Sequence, residues 1–266
     1  AGVGAYIIAF APSVASLKSA CLRCQPWLET HWKELVALVG LLAIALVVRA
    51  YDLEHIPANL GGDEGTWAME GLAMLDGHLA NPFETRWFAF PSMSFLAWGL
   101  SMRVFGETVA GLRMVSALIG TASVLATFVL TRGLWGGRVA WLAAVFLTFG
   151  HYHLHFSRLA VNNIADSLLI PLALTFLVLG LRSGRSVHFA LTGVAVGAGW
   201  YGYFGARLLG IIVFFYLVWR ALAESRFLER HRAHLLILLG AVVVVVVPLM
   251  LHYSAHPSTF SEGVDR

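Results

Sequence analysis

Residues 88–105 read FAFPSMSFLAWGLSMRVF, and whether this stretch crosses a membrane decides how the rest of the chain is threaded. Ser92, Ser94, Ser101 and Arg103 make it less apolar than a lipid-facing span, and Pro91 suits the first turn of a short helix lying in the interface. Better candidates lie on either side, because a crossing helix needs about 20 mostly apolar residues. Runs near 34–50, 108–131, 138–156, 164–181, 187–204 and 234–251 meet that need. A seventh, about 206–221, follows the break at Gly205-Ala206-Arg207. Residues 1–17 are also apolar but contain Pro12, and they read equally as a further span or as an interfacial helix.

Charge chooses between the two threadings. With 88–105 kept at the interface and 34–50 running outward, the inside holds eleven Lys and Arg against four acids, and the outside seven Arg against eleven acids. Crossing by 88–105 would carry Arg132/Arg138, Arg182/Arg185 and the Arg220 to Arg232 cluster to the exterior, against the positive-inside tendency. The expected architecture is therefore an all-α polytopic membrane bundle of about seven transmembrane helices. Its long first external loop, 51–107, carries amphipathic interfacial helices. Residues 1–33 read as an N-terminal apolar segment and cytoplasmic linker, and 34–266 as a transmembrane domain that stops within what looks like the next external loop, so that it is truncated at its C-terminal end.

Composition agrees. Of 266 residues, 59% are hydrophobic and 12% charged, where soluble proteins run to about half and a quarter. A mean hydropathy of +0.76 excludes a disordered chain. A net charge of +3 excludes a nucleic-acid module with a basic face, so no nucleic-acid partner is expected. Two cysteines make no disulfide framework.

The loop carries most of the potential chemistry. Leu60-Gly61-Gly62-Asp63-Glu64-Gly65-Thr66-Trp67 places two carboxylates after two glycines, and a helical pattern then runs through Ala68, Met69, Leu72, Ala73 and Leu75 to Gly77. The acids sit at a helix N-terminus, which favours their ionised form, and the apolar stripe is expected on the membrane surface. Successive helical residues diverge by about 100°, so the two cannot face one ligand alike: one acts and the other braces. An N-cap acid followed by a first-turn Glu is the ordinary structural alternative.

These features stand in a particular order. Arg49-Ala50-Tyr51 ends the first span, then come Pro57, Gly62-Asp63-Glu64 with its helix, and the Pro91 segment closing in Val104-Phe105-Gly106. Leu112-Arg113 opens the next span, Leu134-Trp135-Gly136 marks a cytoplasmic turn, and His155-Phe156-Ser157-Arg158 ends the third. That order resembles the N-terminal membrane portion of the GT-C superfamily glycosyltransferases that use polyprenyl-phosphate sugars, the branch of protein O-mannosyltransferases and aminoarabinose transferases. The resemblance covers about 34–266.

It implies a multi-pass protein of the bacterial plasma membrane, surrounded by membrane lipids and taking a lipid-linked sugar donor. The sugar passes, with inversion, to an acceptor on the external face. Asp63 maps to the family's acid in the first external loop, with Glu64 beside it. The departing lipid phosphate needs cationic donors, for which Arg158 and Arg207 are the candidates. Arg207 lies in the aromatic, Gly-rich turn Tyr201-Gly202-Tyr203-Phe204-Gly205-Ala206-Arg207, which could admit a phosphate to the backbone, or it snorkels between aromatic anchors. Arg113, early in a span, is a third candidate, although a structural pair with a loop acid suits it better.

The family's second acid, after the third span, is replaced here by Asn162 and Asn163, with Asp166 one turn further on. Asp166 either substitutes for it or bonds Asn162 or Arg158. No cofactor is assigned; a divalent metal is compatible with the chemistry but has no strong motif. The alternative reading is a catalytically silent accessory or scaffold subunit that reuses the bundle beside other membrane subunits, in a respiratory or photosynthetic complex for example. A transporter ranks last.

The remaining signals are weaker. Cys21-x-x-Cys24 with His31 offers too few ligands for structural zinc and reads as reduced thiols. His151 and His155 share a helical face with His153 between them, which reads as solvated imidazoles near a boundary. Gly193-x-x-x-Gly197 with Gly199 reads as a close helix crossing.

Overall fold

The computed structural model describes residues 14–78, 81–84 and 90–256, with side chains from residue 30 onward. The described residues are helical throughout, without strands. The ten α-helices are α1 (Val14–Ala50), α2 (Gly62–Leu75), α3 (Leu96–Phe105), α4 (Val109–Trp135), α5 (Gly137–Phe149), α6 (His151–Phe156), α7 (Asn163–Ser183), α8 (Ser186–Ala198), α9 (Phe204–Ala223) and α10 (Phe227–Ala255). Short 3-10 turns at Ser92–Phe95 and Gly199–Tyr201 lead out of the loop and out of α8. Of the apolar stretch 1–17, all but the start of α1 lies outside the described residues, as do the side chains of Cys21 and Cys24. α1 is helical through residues 18–33, read from sequence as a linker.

Among the described residues, four helices, α4, α7, α9 and α10, are long and apolar enough to cross a membrane. That makes the protein a membrane-spanning helical bundle, but the count of seven is not reproduced. α5 and α8 have 13 residues each, or about 20 Å of helix, against a hydrocarbon core of about 30 Å. The third expected span breaks at Gly150 into α5 and α6, and the fifth ends in a 3-10 turn.

α4 is the central element. It packs on α7, α5, α3 and α1, while α8 packs on α10 and α7. Glycines stop α4 and α7 at Gly136 (φ +87°) and Gly184 (φ +64°), left-handed conformations that a side chain disfavours. Gly193-x-x-x-Gly197 does serve a close crossing: a Cβ on Gly197 would lie 2.7 Å from the Val245 Cβ, and one on Gly193 would run into the Leu238 carbonyl of α10.

Residues 90–105 form no helix long enough to cross a membrane. α3 has ten residues, about 15 Å, and the polar groups that lowered its hydropathy stitch it to its neighbours. Ser92 Oγ donates to the Glu84 carbonyl (3.0 Å), Ser94 Oγ to the Tyr201 carbonyl (2.6 Å) and Ser101 Oγ to the Gly111 carbonyl (2.6 Å). Arg103 pairs with Asp76 and Glu107.

The apolar stripe of α2 divides between protein and exterior. Trp67 is 1% exposed, with ring centroids 4.4 Å from Phe95 and 4.6 Å from Trp98, and Ala68 and Leu72 pack into the same cluster. These residues face protein because α3 covers them, whereas Met69 of the same stripe stays exposed.

Candidate active site

Asp63 and Glu64 are the second and third residues of α2, whose N-cap is Gly61. Glu64 turns inward and is 2% exposed. Both of its oxygens bind the Arg113 guanidinium of α4, Nε to Oε1 and Nη2 to Oε2, each at 2.8 Å. The Ala160 N–H donates to Oε1 (2.8 Å) and the Gly61 N–H to Oε2 (3.2 Å). Burial pushes this carboxyl's pKa up, but Arg113 and the two N–H groups outweigh it and hold it below its ordinary value. Arg113 spends its remaining donors on the carbonyls of Leu53, Pro57 and Asn59. One ion pair thus ties the start of α2 to α4, to the loop after α1 and to the loop before α7.

That tie positions Asp63. One helical step from Glu64, it points away from the pair, is exposed, and lines a cavity of about 330 Å³. Trp67, Phe90, Phe156, Tyr203 and Phe204 give the cavity aromatic walls, and Asn162 and Asn163 border it from the start of α7. A carboxylate among aromatic faces suits a hydroxylated ring: the faces stack on its C–H groups and the carboxylate accepts its protons.

The structure separates the three arginine candidates. Arg113 belongs to the Glu64 pair. Arg158, 8% exposed, donates to the carbonyls of Val48 (2.7 Å), Arg49 (3.0 Å), Tyr51 (2.5 Å) and Ile56 (2.9 Å). It therefore satisfies the carbonyls that the end of α1 leaves without helical partners. Arg207 lies over the Phe204 ring (4.7 Å to the centroid) and the Trp200 ring (5.8 Å), and its buried Nε has no hydrogen-bond partner. Through Phe204 it adjoins the cavity without lining it.

The Gly-rich turn beside Arg207 is already approached by an acid from within the chain. Asp166 bonds neither Asn162 nor Arg158; its carboxyl lies against the turn, and its buried Oδ1 has no hydrogen-bond partner. A Cβ on Gly205 would lie 2.7 Å from Asp166 Oδ2, and one on Gly202 3.3 Å from Oδ1. These glycines make room for a carboxylate rather than for an incoming phosphate.

One buried cation escaped the sequence reading. Arg49, fully buried, donates to the carbonyls of Ala45 (2.9 Å) and Leu147 (3.0 Å) and to Ser157 Oγ (3.2 Å). Its Nη2 also lies 3.0 Å from His153 Nδ1. Since Arg has no acceptor, His153 must accept on Nδ1 and carry its proton on Nε2, which faces Ser167 Oγ at 3.2 Å. The exposed pair His151 and His155 stack at 6.2 Å, while His153 faces inward. The cue was present in the sequence: a charge at a span end requires partners, and His153 lies off the His151/His155 face. Among the described residues, no group of three or more His, Cys, Asp or Glu side chains could hold a metal ion.

Comparison with known proteins places this architecture. Over 194 residues the chain is 28% identical to an undecaprenyl phosphate-alpha-4-amino-4-deoxy-L-arabinose arabinosyl transferase of Pseudomonas savastanoi pv. phaseolicola (strain 1448A / Race 6). The match takes in 68% of this chain but 36% of the relative, so the chain corresponds to about a third of that protein's length. Residues 90–251, more than half of the chain, match the family described as dolichyl-phosphate-mannose-protein mannosyltransferase. This membrane protein belongs to that family, within the GT-C superfamily.

Proposed function

We propose that the protein takes part in membrane glycosyl transfer, moving a sugar from a polyprenyl-phosphate carrier to an acceptor on the external face, with Asp63 as general base. An acceptor hydroxyl or amine attacks the anomeric carbon as Asp63 takes its proton. The bond between that carbon and the phosphate oxygen breaks, and the lipid phosphate leaves with the electron pair, inverting the anomeric centre. Arg207 is the arginine with donor capacity left for the phosphate, and Glu64, Arg113 and Arg158 hold the frame.

The observation that carries this reading is the division of labour in the acidic pair: Glu64 is locked to Arg113, while Asp63 is free in an aromatic-walled cavity. Family membership supports the donor class, since the names of both the family and the relative include a polyprenyl-type phosphate. The charge balance supports the external face.

The test uses radiolabelled polyprenyl-phosphate sugar in membranes holding the full-length protein or its Asp63→Asn variant. Loss of the base should lower transfer by about 10²- to 10⁴-fold. Equal transfer by both removes Asp63 from the chemistry. No transfer by the unaltered protein would favour the silent scaffold.

A further inference from the structure

Asn162 occupies the N-cap position of α7, where Asn is favoured because its side chain caps the helix. Here it makes no cap bond. The residue is 3% exposed, its Nδ2 has no hydrogen-bond partner, and it lines the cavity that Asp63 enters. Leaving a buried N–H unpaired costs about 1–3 kcal/mol, so such groups call for an explanation. Trp67, Phe90, Phe156 and Phe204 offer only ring faces and edges to the interior, and none of the polar groups that line it, Asp63, Asn163 and Tyr203, bonds this N–H.

We propose that Asn162 is a substrate-binding residue whose Nδ2–H donates to an anionic phosphoryl oxygen of the lipid-linked donor. This rests on the donor class proposed above and adds a residue that it did not include. The chemistry fits the cavity's charge. Asp63 is its carboxylate, and a second one at residue 162 would repel both Asp63 and the phosphate. A neutral amide of the same shape removes that repulsion and supplies a donor. Phosphate recognition is thereby divided, with an uncharged donor from the loop before α7 and a cation, Arg207, behind Phe204.

The experiment measures equilibrium binding of three C55 probes, polyprenyl phosphate, polyprenyl-phosphate sugar and uncharged polyprenol, to the full chain in nanodiscs. Unaltered protein is compared with Asn162→Asp and Asn162→Ala, each checked by size exclusion and thermal melting. Asn162→Ala removes the donor without adding a charge, and Asn162→Asp removes it and adds a repelling carboxylate, so retained affinity in the folded Asp variant remains decisive if the Ala variant fails to fold. Losing one hydrogen bond to a charged oxygen should weaken binding of both phosphorylated probes by about tenfold or more, and leave polyprenol unchanged.

Weakening confined to the sugar-bearing probe would overturn the phosphoryl assignment and move the bond to the sugar. Wild-type affinity of the folded Asp variant for all three probes would show that no ligand uses this donor. If Asp63→Asn still abolished transfer in that case, the proposed function would stand without Asn162. If unaltered protein held polyprenyl phosphate no more tightly than polyprenol, both proposals would fall together.

Discussion

At the scale of single residues, Glu64 and Arg113 form an ion pair out of reach of solvent, with nearly every donor and acceptor used. Such a pair adds little over a well-packed apolar substitute, but removing one partner strands the other's charge, at a cost of about 3–5 kcal/mol. Glu64→Gln should therefore destabilise the detergent-solubilised protein by about that much, and Arg113→Lys should not preserve it, because an ammonium cannot bind both oxygens in a planar fork. Asp63→Asn should change the melting temperature little, since an exposed side chain typically matters within about 0.5 kcal/mol. The pH dependence follows from the lowered pKa of Glu64. The folded state binds this proton less readily than the unfolded chain, so the stabilisation is complete above the ordinary carboxylate value of about 4.3 and is lost as pH falls through the folded value. Melting curves from pH 7 downward should show the unaltered protein converging on Glu64→Gln in acid; parallel curves would contradict the assignment. The acidic pair was legible in the sequence, and the angle between successive helical residues required the two to differ. Which of the two is buried was not legible, because that depends on Arg113, forty-nine positions away. The role of Arg158 was missed for a related reason: the carbonyls that need it belong to a helix end more than a hundred residues earlier.

At the scale of elements, the site depends on how closely α2 approaches α3. Gly71 and Gly99 meet backbone to backbone: a Cβ on Gly71 would lie 2.7 Å from the Gly99 nitrogen, and one on Gly99 would run into the Gly71 carbonyl. Either Gly→Ala change must push the helices apart and loosen the Trp67 cluster that forms one cavity wall, with an overpacking cost of about 1–3 kcal/mol. Gly65→Ala, in the same helix with nothing within 4 Å of its Cβ, should be neutral or stabilising by up to about 1 kcal/mol. Thermal unfolding of Gly71→Ala, Gly99→Ala and Gly65→Ala separates these outcomes, and similar losses in all three would show that the close contact between Gly71 and Gly99 is not what the substitutions disturb. The α8–α10 crossing was readable because Gly193 and Gly197 repeat at the spacing of one helical turn. The α2–α3 crossing was not, because each helix contributes a single contacting glycine and the contact exists only once the loop has folded back. The same folding back explains why Trp67, Ala68 and Leu72 of α2 pack beneath α3 while Met69 stays exposed.

At the scale of the whole molecule, helicity and the shortness of the helix within 90–105 could be read from hydropathy and the placement of serines. The number of crossings could not, because hydropathy measures how apolar a run is and not where its backbone breaks: Gly150 divides one run, and α8 gives way to a 3-10 turn. Sidedness rests on charge alone, and the proposed chemistry depends on it, since an outward-facing acceptor requires Asp63 at the outer leaflet. Two exposed positions report on it. Met69 is 74% exposed on α2, and Ser225 lies exposed in the turn between α9 and α10, near Arg220, Arg226 and Arg230. In a background with Cys21 and Cys24 changed to Ser, Met69→Cys should react in intact cells with a membrane-impermeant maleimide, and Ser225→Cys only after permeabilisation. Labelling of both in intact cells would mean that the chain between them crosses an even number of times, as when residues 88–105 are also a span. Protection of Met69→Cys with labelling of Ser225→Cys would turn the bundle over, placing Asp63 on the cytoplasmic side and leaving an external acceptor without its base.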